Sequence, residues 1–219
     1  MSSIHAVLFD LDGTLLDSAP DLVDALNHLR RAENLDPLEV DDYRQYASHG
    51  VVGLLRAGMP STDGATFESW RLAFLDYYSD HCFNHSVLFE GVRELLKFFE
   101  ESGIPWGIVT NKLKSLTVPI IAAAGLDRYI SCMVCGDTLE KTKPDPAPVR
   151  LACELLDSTP AKTLFVGDDI RDLQAGKSAG TQTAAVHYGY GSYDGDDPLV
   201  KGSIQIYHPA ELIEVVRRA

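Results

Sequence analysis

Short apolar runs punctuate the chain at 6–9, 106–109, 130–135, 163–166 and 183–186. Continuous apolar runs of this length read as fully buried strands. Helical patterns lie between the later ones. Residues 92–101 put Val92, Leu95, Leu96 and Phe99 on one face, the stripe that an amphipathic helix buries. Stretch 116–124 stops at Gly125 and stretch 170–179 stops at Gly180, where glycine supplies a left-handed end to a helix. Stretches 147–156 and 211–217 complete the helical set. Strands that are apolar throughout and alternate with helices predict an α/β fold, a doubly wound parallel sheet covered on both faces.

Residues 17–86 break this alternation and contain no convincing strand. Leu22, Val23, Leu26 and Leu29 recur at helical spacing behind Asp17 and Ser18, which could cap. Phe67, Trp70, Phe74, Tyr77 and Tyr78 form a second stripe, which reads as packing rather than as a binding box. Gly50, Gly53 and Gly58 divide the middle. The pattern predicts an all-helical domain over 17–86, inserted into an α/β core made of 1–16 and 87–219. The Gly- and Asp-rich stretch 189–202 reads as an exposed loop.

At 219 residues the chain can bury a substantial core without staples. A net charge of −13 argues against nucleic acid and anionic membranes as partners. It leaves room for a small phosphorylated substrate, whose site needs only a bound cation and a few basic side chains. No apolar run approaches a membrane span, and the start Met1-Ser2-Ser3-Ile4-His5 has no secretory pattern. A cytoplasmic, reduced protein is expected. Its four cysteines are too few for a disulfide scaffold. Cys132 and Cys135 have a C-x-x-C spacing, but they fall in an expected strand with no second ligand pair, so they read as buried thiols.

The chemistry gathers at the strand ends. Asp10 and Asp12 follow the first run, Thr110 and Asn111 the second, Lys143 the third, and Asp168 and Asp169 the fourth. Ligands of open parallel sheets bind outside the carboxyl ends of the strands. Carboxylates in oxygen-only surroundings suit a hard cation such as Mg²⁺. A lysine and a threonine hydroxyl can neutralise and hydrogen-bond phosphoryl oxygens. One carboxylate can attack phosphorus while another handles protons. Plainer readings stand beside these. Asp12 could be a turn acid, Thr110 a helix cap and Asp172 a first-turn acid. Lys141 could replace Lys143. His49, Arg44 and Arg56 in the insertion could contact substrate or be structural.

Asp10-Leu11-Asp12-Gly13-Thr14, Thr110-Asn111, Lys143-Pro144-Asp145-Pro146 and Gly167-Asp168-Asp169 with Asp172 resemble, in order, the four motifs of the haloacid dehalogenase (HAD) superfamily. The resemblance covers nearly the whole chain, with 17–86 in the place of the helical cap. It implies a HAD-like Rossmannoid core with an inserted cap that governs substrate choice. Within the superfamily the chain is most similar to phosphoglycolate phosphatases. Trp106–Lys112, Phe165–Asp169 and Thr183–Tyr190 also resemble N-acetylmuramic acid 6-phosphate phosphatases.

The implied roles are these. Asp10 is the nucleophile and a Mg²⁺ ligand. Asp12 is the general acid/base and offers its backbone carbonyl to the metal. Thr110 and Lys143 hold the phosphoryl group, with Asn111 nearby. Asp168 is a metal ligand, supported by Asp169 and Asp172. The implied activity is Mg²⁺-dependent hydrolysis of a small phosphorylated metabolite, 2-phosphoglycolate first and N-acetylmuramic acid 6-phosphate second, by a monomer or a homodimer. A sugar-phosphate mutase and a receiver-like signalling module are the competing readings. Asp12 and the large insertion argue against the latter.

Overall fold

The computed structural model describes residues 3–61, 63–191 and 193–218. In chain order the elements are β1 (Ala6–Phe9), β2 (Leu16–Asp17), α1 (Ala19–Ala32), α2 (Val40–Ala47), α3 (Gly50–Gly58), α4 (Gly64–His81) and β3 (Val87–Leu88). Then come α5 (Val92–Ser102), β4 (Trp106–Val109), α6 (Lys114–Ala123), β5 (Cys132–Val134), α7 (Ala147–Leu155) and β6 (Thr163–Gly167). The chain ends with α8 (Ile170–Ala179), β7 (Gln182–Val186), α9 (Pro198–Lys201), β8 (Ile204–Ile206) and α10 (Glu211–Arg218). Two compact units result: Met1–Leu16 with Leu88–Ala219, and Asp17–Val87.

The larger unit holds a six-stranded sheet in the order β5-β4-β1-β6-β7-β8, with every pairing parallel. After β1 the chain builds β4 and β5 outward on one side, then crosses to β6 on the other. The strand order therefore reverses beside β1, and the crevice at its carboxyl end is where an open sheet accepts a ligand. Both faces are covered, which is why the strands read as unbroken apolar runs. On one face Ala6 and Leu8 pack with Val149, Ala152 and Cys153 of α7 and Ala175 of α8. On the other, Phe9 meets Phe99 of α5 and Trp106 with ring centroids 6.0 and 6.1 Å apart.

The sixth strand, β8, was not legible. It is three residues long, half-buried and at the sheet edge, so it lacks the apolar run that marks the others. Cys132 and Cys135 are free and buried. Burial pushes the Cys132 thiol up to about 12, so the pair is protonated and inert.

The smaller unit is helical, as expected. α1 packs on α4, burying Leu22, Leu26 and Leu29 from one and Trp70, Phe74 and Tyr78 from the other. The aromatic stripe is thus core, and its polar tips are satisfied: Trp70 Nε1 donates to Glu33 at 2.9 Å and Tyr77 OH to Asp24 at 2.9 Å. Buried Asp21 accepts from the backbone N–H groups of His85 and Ser86 at 2.8 and 2.9 Å, fixing the end of the unit to its first helix. Arg44 is tied to Asp17 at 2.5 Å, while His49 and Arg56 are exposed. Among the described residues no helix is long and apolar enough to cross a membrane.

Candidate active site

Chain geometry at the end of β1 brings its two acids to different places. Asp10 N donates to Val166 O at 2.9 Å, so Asp10 still follows the sheet ladder. The backbone then turns through Gly13, whose φ of +83° a side chain would resist. A Cβ there would also lie 2.1 Å from Asp168 Oδ2. Glycine is what allows the first loop to approach the loop after β6.

Asp10, Asp168 and Asp172 are all buried, and each offers a carboxylate oxygen within 4.8 Å of the others'. Lys143 enters this cluster. Its Nζ lies 2.8 Å from Asp10 Oδ1 and 2.7 Å from Asp172 Oδ1. Its side chain is 3% exposed, against 68% for Lys141, which pairs with Asp145 instead. Asn111 secures the lysine's backbone from both sides: Lys143 N donates to Asn111 Oδ1, and Asn111 Nδ2 donates to Lys143 O, each at 3.0 Å. Thr110 is buried beside them, and its Oγ1 accepts from Lys112 N at 3.2 Å.

Asp168 is gripped by neutral donors. Thr14 Oγ1 donates to Oδ1 at 3.1 Å and Gly191 N to Oδ2 at 2.8 Å. Asp169 turns away from the cluster. It caps α8 and is clasped by Arg171, whose Nε and Nη2 lie 2.8 and 2.9 Å from its two oxygens. Asp172 lies in the first turn of α8 and also reaches Lys143, a contact the sequence did not suggest. Its Oδ2 accepts from Asp169 N at 3.1 Å, closing a capping box, while Oδ1 reaches Lys143. Asp12 stands apart with Lys112, whose Nζ lies 2.7 and 3.0 Å from its two carboxylate oxygens.

The electrostatics follow from burial. Asp168 is pushed well above the usual carboxylate range by desolvation, with the charges of Asp10 and Asp172 adding to it. Asp172 is pushed up to about 7, first by burial, with Lys143 pulling the other way and Asp10 adding to the rise. Burial disfavours the Lys143 ammonium, but Asp10 and Asp172 outweigh it and its pKa is raised. Burial likewise opposes the charge on Asp169, yet Arg171 holds its pKa below the ordinary value.

Three buried carboxylates facing one another raise each other's energy, and a cation among them relieves this. The donors are all oxygen, with no thiolate or imidazole in the cluster. That set fits a hard divalent ion such as Mg²⁺. Asp10 and Asp168 were both expected as ligands. Asp172 joins them through its side chain, whereas the Asp12 side chain does not.

Three contributors were not picked out from the sequence. Lys112 directly follows the Thr110-Asn111 motif, so its position was the available signal. Thr14 sits inside the first motif and reaches Asp168. The third is the stretch after β7, which differs from the exposed loop expected over 189–202. Tyr190 is buried, Gly191 binds Asp168, Tyr188 OH donates to Thr14 O at 2.9 Å, and Tyr193 OH donates to Gly167 O at 2.5 Å. A Cβ on Gly191 would fall 1.9 Å from Asp168 O. Its glycines admit close backbone approach, where composition alone suggests solvent.

Residues 7–186 match the family model described as haloacid dehalogenase-like hydrolase. The chain is 41% identical over 218 residues to an N-acetylmuramic acid 6-phosphate phosphatase of Pseudomonas aeruginosa, covering 99% of this chain and 96% of that one. It is 33% identical over 214 residues to a phosphoglycolate phosphatase of Chromobacterium violaceum, covering 94% and 96%. A solved structure from Haemophilus somnus, described as a predicted phosphoglycolate phosphatase, superposes with a TM-score of 0.84 at 28% identity, covering 98% and 99%. The chain therefore belongs to the haloacid dehalogenase-like hydrolases, and within them it is a phosphoric monoester hydrolase.

Proposed function

We propose that this hydrolase is a Mg²⁺-dependent phosphatase working through an aspartyl-phosphate on Asp10. Asp10 attacks phosphorus. The bond from phosphorus to the leaving oxygen breaks, and that oxygen takes a proton from Asp12. Water then attacks the aspartyl-phosphate and gives its proton to Asp12, while Asp10 leaves as a carboxylate and inorganic phosphate is freed. Splitting the reaction this way replaces one hard displacement by two easier ones. Lys143 and Thr110 hold the non-bridging oxygens, and Asn111 keeps Lys143 in place. Asp10, Asp168 and the Asp12 backbone carbonyl would hold Mg²⁺, with Asp172 and Asp169 in support. When bound, the ion would supply positive charge to the phosphoryl oxygens.

The observation carrying this reading is the approach of Lys143 Nζ to Asp10 at 2.8 Å inside a cluster of buried acids. Asp10, Lys143 and the metal-competent acids lie in one buried cluster, which supports these roles. For the substrate, identity of 41% over 99% of the chain favours N-acetylmuramic acid 6-phosphate over phosphoglycolate, where it is 33% over 94%. This reverses the order that the sequence motifs alone suggested. Comparison of kcat/KM for the two esters with Mg²⁺ tests it. Faster turnover of the amino-sugar phosphate supports this choice, and a preference for phosphoglycolate overturns it. Near-normal activity in Asp10→Asn would remove the mechanism altogether.

A further inference from the structure

Two lysines reach acids of the site, and they reach different ones. Lys143 serves Asp10 and Asp172. Lys112 serves Asp12, contacting both carboxylate oxygens at 2.7 and 3.0 Å. A lysine one residue past a strand-end motif would ordinarily extend into water, keeping its charge solvated and its rotamers free. Lys112 does neither, because its side chain is only 8% exposed.

Its backbone is also fixed. Lys112 N donates to Thr110 Oγ1 at 3.2 Å, and Lys112 O accepts from Gly136 N at 2.9 Å. The residue before it clasps Lys143 through two hydrogen bonds. The ammonium is therefore delivered to Asp12 from a loop held at both its own ends and tied to the phosphate-binding lysine. A short carboxylate in a turn has two side-chain torsions to settle. Contact of one ammonium with both its oxygens settles the direction in which the carboxylate faces.

The geometry points to Lys112 as the positioning residue of Asp12, the side chain that fixes the direction in which the proton-handling carboxylate faces. This rests on the reading of Asp12 as the general acid/base. Lys112 keeps its own protons throughout. The proton on the leaving oxygen comes from Asp12 and is replaced by one from the attacking water.

Leaving-group dependence is the test, because a merely structural lysine would not move it. An alkyl phosphate releases an alkoxide that needs a proton as its bond to phosphorus breaks. p-Nitrophenyl phosphate releases a phenolate that is stable without one. In Lys112→Met, kcat/KM for an alkyl phosphate falls about 100-fold, the contribution of a general acid. For p-nitrophenyl phosphate it falls less than about threefold, since only transition-state proton transfer has been disturbed. Lys112→Arg, which keeps the charge and is expected to fold, recovers part of the alkyl-ester rate. Equal losses on both esters in Lys112→Met, or no loss, overturn the assignment. If Lys112→Met does not fold, an arginine variant with equal losses on both esters does the same. Asp12→Asn separates this from the underlying reading. If it shows no ester selectivity, Asp12 is not the acid; if it does and the lysine variants do not, only the role of Lys112 fails.

Discussion

Replacing Lys143 with Met removes the cation shared by two buried carboxylates, Asp10 and Asp172, while keeping most of the side-chain volume. The gross attraction is large. At 2.8 Å from Asp10 and 2.7 Å from Asp172, each pair gives about 6 kcal/mol at an effective dielectric of about 20. Taking the ammonium out of water offsets much of this, so the observable loss is that of breaking a buried pair, about 3–5 kcal/mol. The methionine retains an apolar contact near Phe165, over whose ring the ammonium sits at 5.7 Å.

The pH dependence identifies the cause. Asp172 has a folded pKa of about 7 against an ordinary 3.8, so between those values the folded chain binds more protons than the unfolded one. Stability then falls as pH rises through that window, on the order of 4 kcal/mol from this group alone. Without Lys143 the Asp172 pKa rises further, because an attractive charge has gone. The penalty of Lys143→Met is thus greatest above pH 7, near 4 kcal/mol, and about half that at pH 5.5, where Asp172 is largely protonated. Urea unfolding of both proteins in EDTA at pH 5.5 and 8 measures the difference. A penalty equal at the two pH values, or none at pH 8, would refute the argument that Lys143 is held there to balance charge.

Removing divalent metal with EDTA should leave the wild-type chain more stable at pH 5.5 than at pH 8, and Mg²⁺ at about 100 times its Kd should add about 2.7 kcal/mol at pH 8 by mass action. Asp168→Asn should abolish that Mg²⁺ increment in the same unfolding assay; an undiminished increment would place the ion elsewhere. Asp10→Asn should lower kcat by at least about 10³-fold, or about 4 kcal/mol of barrier, measured with either candidate ester. Gly191→Ala sets a Cβ 1.9 Å from Asp168 O, so the stretch must shift, with an expected loss of about 1–3 kcal/mol from the strained contact and weaker Mg²⁺ binding by calorimetry.

Legibility followed the physics of each signal. β1, β4 and β6 are buried on both faces, so burial wrote itself into the sequence as unbroken apolar runs. β8 has a single fully buried residue and left no such mark. Asp10 and Asp168 directly follow β1 and β6, where the fold itself determines position, whereas Lys143 lies in the loop after β5 and is marked by its motif. Direction could not be read. Nothing local says that Asp12 turns to a lysine 100 positions away, or that Asp169 turns to Arg171 while Asp172, three residues on, turns inward. The stretch 189–202 reads as an exposed loop from its Gly and Asp content, yet Gly189 and Gly191 lie close against Asp168. Here the glycines serve close backbone packing against the site.

The pairing of charges leaves the site with more carboxylates than cations. Asp12 has Lys112, Asp169 has Arg171, and Asp10 and Asp172 share Lys143. Five carboxylates thus face three cations, and with all ionised two negative charges remain. The deficit is not spread evenly. It falls on Asp172, which shares Lys143 with Asp10, and on Asp168, whose partners among the described residues are a hydroxyl and a backbone N–H; the pKa of each is raised. The chain can meet the deficit by protonating them, which favours acid conditions, or by binding two positive charges at that spot. A monovalent ion would leave one acid still driven to take up a proton. A divalent ion would let both remain carboxylates at neutral pH.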